Sequence, residues 1–279
     1  MKRNDVWVPD FYHGTPLFSQ IERSCRYFSQ NDEWPELTDY QALLDSRQGI
    51  VRNGADIPLR FVSQSGKAGS WEEGYEPRIY LQGEIQTRLR NWHDYFQVMI
   101  WSTYPRAKVA LNDIHFHQIQ SRILQNRNTN TRGAIENALT IFDECGAIIV
   151  VRDNAYSDLI KSFRWKELFW ERRNALLDNM QCYIFGHALY EKALHPYLGM
   201  TAHAILLQPD RTFFASDGET RQRMIDVLLA EFIYQGRIQS PRDLNPFPLL
   251  GMPGWWENNQ ASFYDNQAYF RPGRNHVPG

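Results

Sequence analysis

The amino-acid sequence predicts an α+β fold in which antiparallel β-hairpins pack against several long helices, with an extended aromatic arm at the C-terminal end. Three features lead to this prediction. Apolar residues recur at spacings of three and four over long stretches, which is typical of amphipathic helices. Short alternating or aliphatic runs lie between those stretches, as expected of strands. Residues 241–279 are rich in proline, glycine, asparagine and aromatic residues.

The first half of the chain is predicted to contain four helices. Apolar spacing indicates three of them, over residues 16–29, 84–103 and 106–124. Pro105 separates the last two, because proline removes a helix hydrogen bond. Thr38 is a suitable N-cap for a fourth, shorter helix that ends near Ser46.

One strand and one long loop are predicted between these helices. Ile57, Leu59 and Phe61 alternate with other residues, as in a half-buried strand. Residues 63–77 contain three glycines and little apolar content, which predicts a mobile loop or lid around Gly66.

Two hairpins are predicted in the second half. Residues 138–142 and 147–151 are expected to pair across a tight turn formed by residues 143–146. Residues 202–208 and 212–215 form the second predicted hairpin.

Two helical regions accompany these hairpins. One is predicted over residues 156–194, with a break near Phe163. The other opens with a capping box of Ser216 and Glu219 and ends near Gly236.

The chain is expected to form a single domain over residues 1–279, since the sequence contains no repeats, low-complexity segments or clear linkers. Its core is predicted at residues 57–240, with an N-terminal segment (1–56) and a C-terminal arm (241–279) at the periphery. The arm carries too many aromatic residues for a disordered tail and is expected to pack over the core.

Composition excludes several classes of protein. The formal net charge of −2 gives no basic field for nucleic acid or an anionic membrane. The longest aliphatic runs are strand-sized, and the N-terminal residues lack the apolar stretch of a signal peptide. Only three cysteines occur, none spaced as C-x-x-C, which fits a reducing compartment. We therefore expect a cytoplasmic protein.

The common local signatures of catalysis are missing. The sequence contains no G-x-G-x-x-G, Walker A, H-E-x-x-H or G-x-S-x-G motif, and no paired cysteine zinc signature. A site assembled from distant residues would leave no such pattern, so these absences exclude motifs and not chemistry.

His93 and Asp94 form the first candidate site. Neighbouring residues on a helix diverge by about 100°, but both side chains could still reach one cleft as a general base with its carboxylate, or as two metal ligands. Alternatively, His93 makes a local hydrogen bond and Asp94 pairs with Arg90 one turn earlier.

His187 and Glu191 form the second candidate, four residues apart on one predicted helix face. This spacing lets a carboxylate orient an imidazole, or lets both bind one cation. Gly186 directly before His187 could permit close approach of a ligand or of another segment. The alternative is a core histidine whose hydrogen bonding is satisfied by Glu191 or Tyr190.

The predicted turn Asp143-Glu144-Cys145-Gly146 is the third candidate. Its two acids could bind a cation or act as acid and base, although acidic residues are common in turns for local reasons. Negative neighbours should raise the pKa of Cys145, which makes it a poor nucleophile. His115 and His117 lie two apart on a predicted helix and therefore point away from each other.

Several strings together resemble a proteobacterial family of proteins of unknown function, the DUF3025 family. The strings span most of residues 77–274: Trp92–Phe96, Tyr104–Lys108, Leu111–Asn112, Leu139–Glu144, Phe185–Glu191, Gly251–Trp256, Phe263–Asp265 and Phe270–Pro272. The resemblance implies a bacterial, cytosolic, single-domain protein. It implies no reaction, but it places all six candidate residues within matching strings.

Two functions from different classes follow as hypotheses. The first is a hydrolase-like enzyme with a His/carboxylate site, with or without a divalent metal ion, built from His93, Asp94, His187 and Glu191 with the loop around Gly66 as a lid. The second is a non-catalytic binding or assembly protein that uses the aromatic surface of the C-terminal arm.

Overall fold

The computed structural model describes residues 6–64, 66, 69–125 and 131–273. Over these residues helices predominate and two small sheets accompany them, which confirms the α+β class. Among them, none of the helices combines the length and the apolar character that crossing a membrane requires.

The chain divides into two compact units, each built from three stretches of sequence. The first unit takes the described parts of Met1–His13, Ile21–Thr140 and Gln222–Asp243. The second takes Gly14–Gln20, Ile141–Arg221 and the described part of Leu244–Gly279. The single domain expected from the sequence, with its core at residues 57–240, stays a prediction.

The first unit is mainly helical. Its helices are α1 (Glu22–Cys25), α2 (Leu37–Gln48), α3 (Tyr75–Gln82), α4 (Trp92–Thr103) and α5 (Pro105–Leu124), followed by most of α6 (Ala134–Cys145). Strands β1 (Arg60–Ser63) and β2 (Glu84–Thr87) pair in parallel, with Arg60 opposite Glu84. A cluster of aromatic rings packs on α4, where Trp7 and Phe11 contact Trp92.

The second unit surrounds a four-stranded sheet. Its strands are β3 (Gly146–Val151), β4 (Met180–Ile184), β5 (Thr201–Leu207) and β6 (Asn245–Pro248), in the spatial order β4-β3-β5-β6. β3 pairs in parallel with β5 and antiparallel with β4, and β5 pairs antiparallel with β6. Every residue of β3 is buried, so this strand forms the centre of the unit.

Short helices complete the second unit. They are α7 (Asn154–Lys161), α8 (Arg173–Asn179), α9 (His187–Ala193) and α10 (Arg211–Ala215), with a π-helical turn at Glu167–Glu171. The last long helix, α11 (Gly218–Tyr234), begins in the second unit and ends in the first.

The predicted hairpins are wrong, because the four-stranded sheet is mixed and its neighbouring strands are distant in sequence. Residues 134–145 form α6, which passes directly into β3 without a turn. Residues 211–215 are helical, so β5 has no hairpin partner after it. Pairing comes instead from β4 and β6.

Two of the predicted helices contain strands. The stretch 84–103 begins with β2 before α4 starts at Trp92, and the stretch 156–194 contains β4 between α8 and α9. In contrast, α5 and α11 end close to the positions predicted for them.

The predicted loop at residues 63–77 is shorter than expected, because α3 already begins at Tyr75. Within it, Ser65, Lys67 and Ala68 lie outside the described residues, so the predicted lid stays a prediction.

The C-terminal arm packs its aromatic residues within the second unit. Tyr264, Tyr269 and Phe270 are buried, and the rings of Tyr264 and Phe270 lie 6.1 Å and 6.2 Å from that of Phe169. The Tyr269 hydroxyl donates to the Met200 carbonyl at 2.7 Å.

Candidate functional site

His187 begins α9, directly after β4 and a two-residue connection. The connection is fixed by two backbone hydrogen bonds, since Phe185 N–H and Gly186 N–H both donate to the Gly146 carbonyl, at 3.0 Å and 2.9 Å. The start of α9 is therefore held against the junction of α6 and β3.

Gly186 is required for this close approach. A Cβ atom at residue 186 would lie 2.5 Å from both the Glu144 carbonyl oxygen and the Gly146 nitrogen. Gly146 is crowded in the same way, because its Cβ would lie 2.2 Å from the Phe142 carbonyl oxygen. Gly186 therefore allows segments 142–146 and 185–187 to pass within contact distance, while Gly146 allows the tight passage from α6 into β3.

Two carboxylates flank the His187 imidazole as a result. Asp143 and Glu144 occupy the last turn of α6, and Asp143 Oδ2 lies 3.7 Å from His187 Nδ1 while Glu144 Oε2 lies 3.6 Å from His187 Nε2. Each ring nitrogen thus faces a different acid. The side chains of His187, Asp143 and Glu144 are 2%, 10% and 40% exposed.

This arrangement supports two kinds of chemistry. A carboxylate beside Nδ1 fixes the orientation of an imidazole and stabilises its protonated form. Both distances exceed a hydrogen bond, and a cation between Nε2 and the Glu144 carboxylate would fit the 3.6 Å separation. Ligand atoms that each lie about 2.1 Å from one cation, at tetrahedral or trigonal angles, are about 3.4–3.6 Å apart.

Cys145 lies beside this site but is not an activated nucleophile. Burial raises the pKa of the Cys145 thiol, and the nearby Glu144 carboxylate raises it further. Lys192, whose Nζ lies 3.8 Å from Cys145 Sγ, opposes this increase. The raised pKa agrees with the sequence expectation, although burial contributes more than the negative neighbour. His203, opposite Gly146 on β5, has a pKa lowered by burial and by Lys192.

Glu191 lies one turn after His187 on α9 and is exposed. The carboxylates near the His187 ring are those of Asp143 and Glu144 and come from α6. A role for Glu191 stays a prediction.

His93 and Asp94 belong to the first unit, at the start of α4. Asp94 is 4% exposed and pairs with Arg88, since its Oδ1 lies 2.7 Å from the guanidinium and its Oδ2 accepts the Arg88 backbone N–H at 2.5 Å. The predicted ion partner was Arg90, which instead has a φ of 56° in the turn before the helix. These contacts give Asp94 a structural role, while a functional role for His93 stays a prediction.

A protein-family match relates the chain to known proteins. Residues 59–274 match DUF3025, a family of proteins of unknown function. No curated protein and no solved structure shows a significant match to the chain. The family match covers well over half of the sequence, as the resemblance of its motifs indicated. The chain therefore belongs to the DUF3025 family of proteins of unknown function.

Proposed function

We propose that the protein is a hydrolase-like enzyme whose site is built on His187, Asp143 and Glu144 and is assisted by a divalent cation. The observation that carries the proposal is the buried His187 imidazole with a carboxylate facing each ring nitrogen. Burying an imidazole between two acids is costly, which favours a functional explanation of the arrangement.

The three residues have distinct roles in this proposal. Glu144, with a side chain 40% exposed, and His187 Nε2 bind the cation. Asp143, with a side chain only 10% exposed, orients His187 through Nδ1, as carboxylates behind metal-binding histidines do. A cation held by Glu144 and His187 would supply a water of lowered pKa as the nucleophile for hydrolysis, in which the water's hydroxyl joins the cleaved group and its proton goes to the leaving group.

Metal analysis tests this proposal directly. Protein purified without chelator and reconstituted with Zn²⁺, Mn²⁺ or Mg²⁺ is expected to hold about one equivalent of one of these metals. His187→Ala and Glu144→Gln should lose it, and Asp143→Asn should bind about 10–100-fold more weakly. Matched controls are the exposed His195→Ala and Glu171→Gln. Metal that is retained in His187→Ala would contradict the ligand assignment.

Turnover tests the reaction class. A panel of ester, amide, phosphomonoester and phosphodiester substrates is screened with the wild type, and every active substrate is repeated with the three site variants. Loss of turnover in these variants, with unchanged circular dichroism, is expected. His93→Ala and Glu191→Gln belong in the same series, because the sequence predicts a role for both. Activity that persists in His187→Ala would refute the proposal.

A second candidate function is a binding or assembly role for the C-terminal arm. Trp255, Trp256 and Phe263 remain partly exposed, and Phe263 borders a polar hollow of about 540 Å³. The other arm aromatics are buried, so this surface is smaller than the sequence suggested. Sedimentation and pull-down experiments with Trp256→Ala and Phe263→Ala test it, and association unchanged in both variants would count against it.

A further inference from the structure

A cavity of about 480 Å³ lies within the first unit. Three segments line it: residues 51–52, which precede β1, the first two turns of α5, and the second half of α11. Small-molecule sites in proteins typically have volumes of about 300–1,000 Å³. The cavity is therefore large enough for a small organic ligand.

Most of the cavity lining is aliphatic. The apolar residues are Val51, Pro105, Val109, Val227 and Ala230. Val227 remains 37% exposed, and Tyr234, which also lines the cavity, is 50% exposed. Covering apolar surface of this kind releases water and favours binding. A ligand for this cavity is thus expected to have an apolar body.

Arg106 supplies an available positive charge at the cavity. Its guanidinium makes no ion pair and no hydrogen bond with any residue in the described part of the chain. Arg52 is partly engaged, because its Nη1 donates to the Asp56 carbonyl at 2.7 Å and its Nε lies 3.7 Å from Asp56 Oδ1. The Asp56 side chain is 86% exposed and does not line the cavity, so water screens its charge.

The backbone that carries Arg106 is held in place. Asp226 accepts the backbone N–H groups of Arg106 and Ala107, at 3.2 Å and 2.9 Å. These N–H groups of the helix start are therefore not available to a ligand, and an anion must be bound by side chains. On α11, the Tyr234 hydroxyl donates a hydrogen bond to the Asp113 carboxylate, which fixes this part of the lining as well.

The charges of the lining select the sign and the number of charges on the ligand. Arg52 and Arg106 are opposed by one acid, Glu231, so the lining carries an excess of one positive charge. A ligand with a single negative charge balances this excess, whereas a cation is repelled. The planar guanidinium matches the two oxygens of a carboxylate and binds them with two charge-assisted hydrogen bonds.

We propose that this cavity binds a small carboxylic acid with an apolar body. The carboxylate pairs with the Arg106 guanidinium, and the apolar body covers Val109, Val227 and Ala230. The cavity shares no residue with the proposed hydrolytic site, so either proposal can fail without the other.

The first test compares three probes of equal chain length on the wild-type protein: octanoate, 1-octanol and octylammonium. Binding is measured by isothermal titration calorimetry and by ligand-observed NMR. We expect octanoate to bind at least about tenfold more tightly than 1-octanol, because only the carboxylate forms charge-assisted hydrogen bonds with Arg106. Octylammonium should bind most weakly. No binding of octanoate, or equal binding of octanoate and 1-octanol, would overturn the proposal.

Chain length tests the apolar part of the cavity. Butanoate, hexanoate and octanoate are compared in the same assays. Each added methylene that reaches the aliphatic lining should tighten binding about two- to fourfold. Affinities that do not change with chain length would show that the apolar lining contributes nothing, which contradicts the proposal.

Variants locate the site on the protein. Arg106→Met should weaken octanoate binding at least about tenfold and leave 1-octanol binding unchanged, because it removes only the charge partner. Val227→Trp fills the cavity from an exposed position and should weaken the binding of both probes. Glu231→Gln should instead tighten octanoate binding about twofold, since it removes a like charge that is exposed to solvent.

Matched controls are Arg132→Met and Glu33→Gln, which make the same replacements at exposed positions that do not line the cavity. Both should bind octanoate as the wild type does. Arg106 and Val227 are exposed, so their variants are expected to fold, and circular dichroism checks this. Octanoate binding that is undiminished in folded Arg106→Met and Val227→Trp would place the ligand elsewhere and overturn the proposal.

Discussion

Gly186 lets His187 lie close to Asp143 and Glu144 because it has no side chain. Its φ is −67°, so an alanine there suffers no backbone strain, but its Cβ would collide with the Glu144 carbonyl and the Gly146 nitrogen. We expect Gly186→Ala to lower the free energy of unfolding by about 3 kcal/mol, measured by urea denaturation. Gly218→Ala is the control, because a Cβ there meets nothing within 4 Å. Equal losses in the two variants would show that close approach at residue 186 is not the cause.

Asp226 makes the stability of the protein depend on pH. It is 6% exposed and accepts the backbone N–H groups of Arg106 and Ala107, at 3.2 Å and 2.9 Å. Burial raises the pKa of Asp226 to about 6, although these two hydrogen bonds partly oppose the increase. Because the folded pKa exceeds the unfolded value of about 3.9, the neutral form favours folding, and this stabilisation is lost as pH rises through 6.

We therefore expect the free energy of unfolding of the wild type to fall by up to about 3 kcal/mol, relative to that of Asp226→Asn, between pH 4 and pH 7. Urea denaturation at several pH values measures the difference. Asp158→Asn, at an exposed position, should track the wild type over the whole range. A constant difference between the wild type and Asp226→Asn would contradict the raised pKa.

At the residue scale, the sequence identifies the residues of the proposed site but not which of them lie together. His187, Asp143 and Glu144 each stand out by chemical type, and Gly186 stands out as a point of close approach. Helical spacing predicts a contact between His187 and Glu191, because helix periodicity relates only residues that are close in sequence. The flanking acids lie about forty residues earlier in the chain and meet His187 through tertiary structure.

At the scale of elements, the start of α4 depends on a small polar group. Asn91 caps the helix by accepting the Asp94 N–H at 3.1 Å, and Asp94 in turn binds Arg88. We expect Asp94→Ala to lower the free energy of unfolding by about 1–2 kcal/mol, because the Arg88 backbone N–H loses its acceptor while the half-exposed Arg88 guanidinium turns to solvent. Thermal or urea denaturation measures the loss, with the exposed Asp32→Ala as the control. Metal content should not change, and its loss in folded Asp94→Ala would instead favour the role predicted from the sequence.

The elements that the sequence predicts poorly are those whose patterns suit two structures. In α6, Ile135, Ala138, Leu139 and Phe142 have helical spacing, but the run Leu-Thr-Ile-Phe is rich in strand-forming residue types. In β4, Met180 and Tyr183 continue an apparent helical stripe from Leu176. Whether such a stretch becomes a helix or a strand depends on pairing in the sheet, and the pairing strands are distant in sequence.

At the scale of the whole molecule, the three cysteines should differ in reactivity. Cys25 and Cys182 are buried, and burial raises the pKa of both thiols. Cys145 is only partly buried. With a disulfide reagent at pH 8 we expect one slow reaction in the native protein, absent in Cys145→Ser, and three fast reactions in denaturant. Rapid native labelling of Cys25 or Cys182 would contradict the burial of these residues.

The fold class could be predicted from sequence, while the topology could not. Apolar periodicity and residue types suffice to indicate a mixture of helices and strands. The parallel pairing of β3 with β5 joins Gly146 to His203, and no local signal encodes such a contact. Hairpins are the default expectation for short strands, since they need only a turn.

The interleaving of the two units along the chain has a consequence for synthesis. Domains generally fold as units in the order in which they emerge from the ribosome. Here the first unit needs Gln222–Asp243, and the second needs residues from Leu244 onward. Neither core can close until most of the chain has left the exit tunnel, so both units are completed almost together. The apolar core residues of the nascent chain therefore stay exposed during most of translation. We expect chaperones that act at the ribosome to bind the chain during this time.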